Sequence, residues 1–322
     1  MNSPERSQST LSIARGAGIA TFMGLDHTRD LAGVDVAVIG VPSDTGGTPG
    51  SRTGPRAMRD VSSLLRPVNA HHNVAPMQEM RVIDYGDLMV VPGSIQRTYQ
   101  EIEAGLEPFF AAGVIPVLLG GDHSITLAHL RAASKRYGPV AMLQFDSHTD
   151  VYDVYYETER YNAGTPFRRA AEEQVVAAEK SIMVGLRGTV YSTHDYQDAR
   201  DLGFHVRTMD DIMELGIPRI IADIREIVGD HPLFVTFDVD SLDPAFAPGT
   251  GTLEIGGLTT REALTIVRAL GGLNFVGFDV VEVNPPLDPG RTTAVVGATM
   301  AFEFLSLLAL ARAGDAASRG RN

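Results

Sequence analysis

Short apolar runs alternate with longer amphipathic segments along most of this chain of 322 residues. Runs such as Val34–Val41 and Val114–Leu119 are apolar at successive positions, which is typical of strands buried on both faces of a sheet. Strands separated by helices favour a mainly parallel sheet with helices on both sides. No linker and no internal repeat interrupts the alternation. We therefore predict a single α/β domain with three layers, α/β/α.

The positions of the predicted elements follow from this pattern. The predicted strands are Val34–Val41, Met80–Tyr85, Val114–Leu119, Val140–Phe145, Ser181–Gly185, Phe204–Thr208, Leu233–Asp238 and Phe275–Val281. The predicted helices are one that begins at Gly54, then Ser94–Ala112, Ser124–Tyr137, Phe167–Ala178, His194–Leu202, Pro218–Val228, Thr259–Leu270 and Thr292–Ala313. Ser124 is the predicted N-cap of its helix. Pro42–Pro55 and Val151–Thr165 are predicted loops.

Composition and charge narrow the classes of partner. The formal net charge of −13 disfavours nucleic acids and anionic membranes, and it is compatible with a cationic substrate. The chain has no cysteine, which excludes disulfides and thiol chemistry and fits the reducing cytoplasm, the expected location. Residues 1–20 show no secretory signal. No apolar run approaches the length of a membrane span, and Phe304–Ala311 is the most apolar stretch.

The segment Leu143–Asp153 carries the densest group of potential ligands. Asp146, His148 and Asp150 alternate with small polar residues. On an extended backbone, side chains two residues apart point the same way, so a carboxylate, an imidazole and a second carboxylate should converge at the end of an apolar strand. Such a cluster repels itself unless it holds a cation, and we interpret it as a metal site. The alternative is a charged strand end with no ligand.

Two further segments place ligands at the ends of predicted strands. His123 follows the run Val114–Leu119, and Asp238 and Asp240 follow Leu233–Thr236. Open parallel sheets bind ligands in the crevice beyond the carboxyl ends of their strands. Four carboxylates and two imidazoles exceed what one tetrahedral ion needs and suit two divalent ions bridged by carboxylate oxygens. The six predicted metal ligands are His123, Asp146, His148, Asp150, Asp238 and Asp240.

These motifs resemble those of a known family. The sequences G-G-D-H-S at 120–124, F-D-S-H-T-D at 145–150 and F-D-V-D-S-L-D-P-A-F-A-P-G-T-G at 237–251 resemble the three metal motifs of the ureohydrolases, the arginases and agmatinases. The similarity runs from about Val34 to Ala313, and Gly50–Pro55 and Gly164–Ala170 resemble the agmatinase branch. It implies an arginase-like ureohydrolase domain at 32–315, preceded by an N-terminal arm at 1–31 and followed by a C-terminal tail at 316–322.

The resemblance also implies a chemistry. Ureohydrolases hydrolyse a guanidinium to urea and an amine with two divalent ions, which lower the pKa of a water molecule so that it attacks the guanidinium carbon. We expect Mn²⁺, and Ni²⁺ or Co²⁺ would also suit these ligands. By position, Asp146 and Asp238 would bridge the ions. The two separate sites would be completed by His123 and Asp150 on one side and by His148 and Asp240 on the other.

The resemblance further suggests which residues handle the substrate. Glu282, in D-V-V-E-V-N-P, matches the family carboxylate that hydrogen-bonds the guanidinium, a planar cation well suited to charge-assisted bonds. We predict that Glu282 and Asp150 are the catalytic residues. The predicted substrate-binding residues are Glu282, Asn162, Ala163 and Leu253.

One departure from the family concerns proton transfer. Family members commonly carry His in a loop sequence H-G-T, where this chain has Ala163-Gly164-Thr165. A methyl group cannot act as a general acid, whose help is worth roughly 10²–10⁴ in rate. Either the chain is a weakened or non-catalytic homologue, or the small residue enlarges the pocket for a bulkier guanidine. Leu253, Ile255 and Leu287 also replace the Pro or aromatic residues that the family often has.

Several other polar residues near these motifs have two interpretations. Asp122 either orients a ligand or builds the turn before His123. Tyr155, Tyr156, Tyr161 and Arg160 either form the rim of the pocket or are solvated loop side chains. Six other histidines lack ligand spacing and are predicted to be surface or core residues; they are His71, His72, His129, His194, His205 and His231.

We therefore expect a dimetal amidinohydrolase. Its small-molecule substrate would be agmatine, a guanidino acid, or a bulkier substituted guanidine or biguanide such as metformin. The alternative is a non-catalytic homologue that serves as a structural or regulatory subunit of an active ureohydrolase. A deacetylase of the histone-deacetylase type, with one zinc, fits less well, because Asp238, Asp240 and Glu282 are then unexplained. The family implies a homo-oligomer, a trimer or hexamer, or a hetero-oligomer with a related chain.

Overall fold

A single parallel sheet organises the protein. The computed structural model describes residues 17–319, and the strands within that range form one sheet in the order β2-β1-β3-β8-β7-β4-β5-β6. Every pair of neighbouring strands is parallel, so the predicted fold class is confirmed. The strands are β1 Val36–Gly40, β2 Val82–Asp87, β3 Ile115–Leu119, β4 Ala141–Phe145, β5 Ile182–Leu186, β6 His205–Thr208, β7 Leu233–Asp238 and β8 Phe275–Val281.

Helices cover both faces of this sheet. They are α1 Gly54–Ser62, α2 Pro76–Glu79, α3 Ile95–Ala112, α4 Ile125–Tyr137, α5 Pro166–Glu172, α6 Asp195–Asp201, α7 Met209–Leu215, α8 Ile217–Val228, α9 Thr260–Arg268 and α10 Thr292–Arg319. The alternation of side chains along each strand divides the interior into two cores. Val36 and Val38 of β1 lie in one core, and Ala37 and Ile39 lie in the other. Three layers result, as predicted.

The pattern analysis misjudged some helices. It assigned no element to α7, which is short and follows β6 directly, although Thr208 and Asp211 form a capping box at its start. It extended α5 to Ala178, but that helix ends at Glu172 because the chain then turns to run beside β4, where Val176 forms a bridge with Val140.

Ser124 occupies the predicted N-cap position, but its side chain does not cap the helix. Ser124 precedes α4, but its hydroxyl makes no capping hydrogen bond to the helix. The hydroxyl instead donates to Asp122 Oδ1, which also accepts the Ser124 backbone N–H at 3.0 Å. The polar group that the pattern places at the helix start therefore organises the turn before the helix.

The longest helix contradicts the expectation that no apolar run approaches the length of a membrane span. Thr292–Ala313 is 22 residues long and apolar enough to cross a membrane, and 78% of its most apolar stretch is buried inside the fold. Phe304 stacks on Phe278 of β8 with ring centroids 4.5 Å apart. Buried Glu303 forms an ion pair with Arg268 of α9. The helix is therefore packed as a core element, and the absence of a membrane partner stays a prediction.

The segment that precedes β1 is attached to the edge of the sheet. Residues 1–16 of the predicted arm lie outside the described residues. Within the rest, Phe22 is fully buried and its N–H donates to Asp84 Oδ2 at 2.7 Å. Asp84 also accepts two bonds from the buried Arg59 guanidinium, whose Nη2 donates in addition to the carbonyl of Gly86. This network joins the arm, α1 and the edge strand β2.

We predict that Arg59→Met destabilises the fold by about 3–5 kcal/mol, because the change leaves the carboxylate of Asp84 buried without its cation. Chemical denaturation followed by circular dichroism measures the change. Lys135→Ala is the control, since its ion pair with Glu103 is solvated, with 59% of the lysine side chain exposed, and such pairs contribute about 1 kcal/mol or less. Equal losses in the two variants would contradict a structural role for the Arg59 network.

Candidate metal centre

Four neighbouring strands deliver all of the predicted ligands to one place. The strands β3, β8, β7 and β4 are adjacent in the sheet, and their carboxyl ends lie at the same edge. The segments that follow them carry, in that order, His123, then Glu282, then Asp238 with Asp240, and finally the group Asp146, His148 and Asp150. The strand order therefore explains why residues more than a hundred positions apart meet.

The imidazole of His123 faces three carboxylates. Its Nδ1 lies 2.9 Å from Asp150 Oδ2, 3.1 Å from Asp146 Oδ2 and 3.3 Å from Asp238 Oδ2. Among the described residues, this buried nitrogen has no hydrogen-bond partner of good geometry. Four ligand atoms are thus gathered around a common point and are not paired with one another.

A second group of ligand atoms lies beside the first and shares one residue with it. His148 Nδ1 is 3.1 Å from Asp240 Oδ2 and 3.5 Å from Asp146 Oδ1. Asp146 therefore directs one oxygen towards each histidine. The ligand atoms of His123, Asp146 and Asp238 lie within 4.8 Å of one another, and so do those of Asp146, His148 and Asp240. This is the geometry that two cations with a bridging carboxylate require.

Burial and mutual repulsion shift the pKa values of the ligands in this cluster. Burial and the charge of Asp146 raise the pKa of the Asp150 carboxyl to about 6. Burial also raises the pKa of Asp238 well above its usual range. Burial opposes the charge on His148, but Asp240 and Asp146 raise its pKa to about 12. Oxygen and imidazole ligands with a surplus of negative charge fit divalent cations.

Polar side chains that the motif search missed hold the ligands in place. His123 Nε2 lies 2.8 Å from Thr236 Oγ1, which leaves Nδ1 for the cluster. Gln144 Nε2 donates to Asp146 Oδ2 at 2.8 Å. The hydroxyl of Ser147 donates to Asp240 Oδ1 at 2.8 Å. Thr236 and Gln144 each stand two residues before a ligand in an otherwise apolar strand, and this spacing is the signal that could have identified them.

The turn that carries His123 depends on a close approach of two loops. A Cβ on Gly121 would lie 1.7 Å from the carbonyl oxygen of Ser43, so only glycine fits. The carbonyl of Gly121 accepts the N–H of Glu282 at 2.9 Å, and Glu282 Oε1 accepts the N–H of His123 at 2.7 Å. The β3 and β8 ends are thus joined by two reciprocal bonds.

Of the two roles that the sequence allowed for Asp122, the contacts support the one in the turn before His123. Its carboxylate accepts the N–H of Gly46 at 2.8 Å and that of Ser124 at 3.0 Å. These bonds fix the loop 42–55 against the turn before α4. The hydroxyl of Ser124 also donates to this carboxylate, which is not among the two groups of ligand atoms.

A cavity of about 600 Å³ opens onto the cluster. Glu282 lines it, and burial together with the charge of Asp122 raises the pKa of that carboxyl to about 8. Of the predicted substrate-binding residues, Asn162 and Ala163 also line it, whereas Leu253 does not and is 49% exposed. A Cβ placed on Gly47 would lie 3.3 Å from Glu282 Oε1 and 3.4 Å from Ala163 Cβ, so the alanine stands close to this carboxylate.

The loop residues that were possible rim residues separate into two groups. Tyr155 and Tyr156 line the cavity, and so do Tyr152 and Tyr191, which the pattern did not single out. Tyr161 packs on Tyr99, with ring centroids 5.8 Å apart. Arg160 forms ion pairs with Asp153 and Glu172.

His129, one of the histidines predicted to be a surface or core residue, is fully buried in the core.

Arg187, immediately after β5, was also missed. Its guanidinium donates to six main-chain carbonyls and none of these acceptors is a carboxylate. Nη2 reaches the carbonyls of Asp240 at 2.8 Å, Leu242 at 3.0 Å and Glu254 at 2.7 Å. Nη1 and Nε bind those of Gly185, Ser241 and Ile255. This residue ties the ligand-bearing turn after β7 to the loop at the mouth of the cavity.

The fold and the site together define a member of the arginase family, whose family model matches residues 34–306. The chain belongs to this family of binuclear divalent-metal enzymes, and the predicted membership of the agmatinase-like branch is confirmed. The predicted enzyme class, a hydrolase of C–N bonds in linear amidines, agrees with it. The trimer or hexamer, the hetero-oligomer and the cytoplasmic location stay predictions.

Individual relatives are similar over nearly the whole chain. A guanidinopropionase of Pseudomonas aeruginosa is 47% identical, over 92% of this chain and 94% of the relative. A mitochondrial agmatinase of Gallus gallus is 38% identical, over 92% of this chain and 87% of the relative. The solved structure of proclavaminate amidinohydrolase from Streptomyces clavuligerus has a TM-score of 0.88 and 38% identity, covering 93% of this chain and all of that one.

We predict that Thr236→Val weakens the binding of Mn²⁺ about 10–100-fold, because the hydroxyl that fixes the ring orientation of His123 is lost. Titration calorimetry on metal-free protein measures the affinity. Thr236→Ser keeps a hydroxyl and should restore most of it. Unchanged affinity in the valine variant, with the fold intact by circular dichroism, would contradict the orienting role.

Proposed function

We propose that this chain hydrolyses the guanidinium of a small guanidino compound to urea and an amine with two bound divalent ions. The observation that carries the proposal is the shared position of Asp146 between two groups of ligand atoms, with Glu282 in the same cavity. A lone metal site would not need the second histidine, and a charged strand end would not need buried carboxylates. Membership of the arginase family supports the same conclusion.

We propose that His123 and Asp150 would hold one ion and His148 and Asp240 the other. The shared position of Asp146 supports its role as a bridge between them, and Asp238 is proposed as the second bridging carboxylate from the resemblance to the ureohydrolases. When bound, the ions supply an activated water for attack on the guanidinium carbon. We propose Mn²⁺, because carboxylate-rich sites suit it, and the two imidazoles also make Ni²⁺ or Co²⁺ suitable.

Two carboxylates act directly on the reactants. Glu282 is buried at the cavity wall, where a guanidinium would form charge-assisted bonds with it and favour its ionised form. Asp150 lines the same cavity beside His123 and is the second proposed catalytic carboxylate, where it would hold an ion and accept a hydrogen bond from the attacking water. Asn162 and Ala163 line the same cavity and would contact the substrate.

The particular substrate is the finer part of the proposal. Relatives carry the names guanidinopropionase and agmatinase, so the candidates include 3-guanidinopropionate and agmatine. Ala163 next to Glu282 leaves room for a guanidine with extra substituents, and a substituted guanidine or a biguanide such as metformin is a further candidate. The same alanine supports the second candidate function, a non-catalytic subunit that retains its metal site.

We predict urea release from at least one of agmatine, 4-guanidinobutyrate, 3-guanidinopropionate, arginine and metformin, assayed with Mn²⁺ and separately with Ni²⁺. Asp238→Asn should reduce the metal content and abolish turnover, because one of the two bridging carboxylates is weakened. Glu226→Asn, on the exposed side of α8, is the control and should leave both unchanged. Metal binding without urea from any substrate would favour the non-catalytic subunit, and co-purification with a related active chain would support it.

We also predict that Ala163→His lowers activity on the preferred substrate and raises activity on agmatine, since the imidazole restores a proton donor but fills space beside Glu282. Ala163→Leu is the matched control, because it fills similar space without a titratable group. The kcat and KM of each variant on each substrate give the result. A rise on every substrate in the histidine variant would show that alanine is a loss of function and not an adaptation.

A further inference from the structure

The outer part of the cavity has features that the chemistry at the metal cluster does not use. We call it the outer chamber and define it by Tyr152, Tyr155, Tyr191, Thr189 and Glu254, all of which line the cavity. Tyr191 is 80% exposed, so this part adjoins the solvent, whereas Glu282 is buried at the inner end. A cavity of about 600 Å³ holds more than one guanidinium group, which leaves the outer chamber for the rest of the molecule.

Three tyrosine rings form one wall of the outer chamber. The ring centroids of Tyr152 lie 5.5 Å from Tyr155 and 5.3 Å from Tyr191, and those of Tyr155 and Tyr191 are 6.0 Å apart, all with nearly perpendicular planes. Asp195 supports this wall, because its Oδ2 accepts the Tyr152 hydroxyl at 2.7 Å, which holds that ring, and the backbone N–H of Tyr191 at 3.1 Å, which holds the neighbouring main chain. Preorganised aromatic faces attract cations and alkylated cations.

Tyr155 joins this wall to the inner part of the cavity. A Cβ on Gly164 would lie 2.6 Å from the Tyr155 hydroxyl oxygen, so the phenol lies directly on the loop that carries Ala163. Tyr155, whose phenol is neutral near pH 7, therefore presents an uncharged ring between the two ends of the cavity.

A fixed carboxylate also lines the outer chamber, held against the segment that leads to Tyr191. Glu254 Oε1 accepts the Thr189 hydroxyl at 3.1 Å and the Thr189 N–H at 3.3 Å. The main-chain carbonyl of Glu254 accepts Arg187 Nη2 at 2.7 Å. Both the backbone and the side chain of this residue are thus held, and binding a ligand there costs little ordering of the carboxylate.

The outer chamber contains a carboxylate and no basic side chain, and the two histidines of the cavity, His123 and His148, lie at the metal cluster. Among the described residues that line the cavity, five are carboxylates and none is Lys or Arg. The guanidinium nearest to Glu254 in the loop, that of Arg187, donates to main-chain carbonyls. A carboxylate on the far end of a substrate would therefore lie near Glu254, a like charge, without gaining a cation from the lining.

We infer that the outer chamber is a subsite for a positively charged substrate tail and that it selects against a carboxylate tail. The inference rests on the proposed function, since it takes the guanidinium of the substrate to be bound at Glu282. Glu254 supplies the opposite charge, and Tyr152, Tyr155 and Tyr191 supply aromatic faces. The substrate class is thus a guanidine with a second cationic or alkylated nitrogen at its far end.

Three compounds with the same guanidinium and similar length test the tail directly. They are agmatine with an ammonium, butylguanidine with a methyl, and 4-guanidinobutyrate with a carboxylate. The measurements are Kd by titration calorimetry on Mn²⁺-loaded protein and urea release in the same preparation. We expect agmatine to bind at least about tenfold more tightly than 4-guanidinobutyrate, with butylguanidine between them.

The variant Glu254→Gln separates tail recognition from a structural effect. It should weaken agmatine about tenfold, strengthen 4-guanidinobutyrate, and change butylguanidine by less than about twofold. Glu157→Gln, an exposed carboxylate on the loop beyond Tyr156, is the matched control and should alter none of the three.

Two outcomes would overturn the inference: binding of 4-guanidinobutyrate as tight as that of agmatine, or a Glu254→Gln variant that changes all three affinities by the same factor. The expected order of affinities without urea from any compound would refute the proposed hydrolysis and leave the tail subsite standing. Urea release with the reverse order would refute the subsite alone.

Discussion

The mutual repulsion of four buried carboxylates is the constraint on which the rest of this structure depends. Asp146, Asp150, Asp238 and Asp240 lie at the ends of two neighbouring strands and are almost inaccessible to solvent. Burying one ionised carboxylate without compensation costs several kcal/mol, and here the charges also repel one another. Two imidazoles and a set of hydroxyl, amide and backbone donors do not neutralise four charges. The cluster is stable as a charged group only with cations, and the fold around it is arranged to place ligands rather than to avoid them.

The backbone is distorted where the ligands need it. Asp150 and Glu282 have φ of 52° and 63°, in the left-handed region that side chains with a Cβ rarely adopt. Strain of this kind costs about 1–3 kcal/mol at each position and persists only where surrounding contacts enforce it. The bonds between Glu282 and Gly121 provide that enforcement at the end of β8. The strain, the buried charge and the tight glycine turn occur at the same edge of the sheet, as expected of a site where stability is sacrificed for chemistry.

Sequence patterns predicted the parallel sheet and the six clustered side chains, because both depend on short-range information. Burial on both faces of a strand and the spacing of alternate residues can be read within a few positions. The supporting residues could not be read in the same way. Thr236 contacts His123 only because β7 and β3 flank β8, and this strand order is set by the whole chain. Arg187 contacts carbonyls more than fifty residues away. Leu253 shows the opposite error: a position next to two lining residues, Thr252 and Glu254, is not itself part of the cavity wall.

The charges of the cavity also divide the site into two halves with different requirements. Two divalent cations would balance the four carboxylates of the cluster, and this leaves Glu282 at the inner end and Glu254 at the outer end without a protein cation in the described lining. A guanidinium satisfies Glu282, but it is too compact to reach both ends of a cavity of this size. The negative potential that attracts cations to the cavity therefore extends beyond the reacting group to its outer end. On the proposed function, discrimination among guanidino compounds would depend on the part of the molecule farthest from the reacting carbon, where the tyrosine rings add an uncharged surface, whereas Ala163 adds space nearer to Glu282.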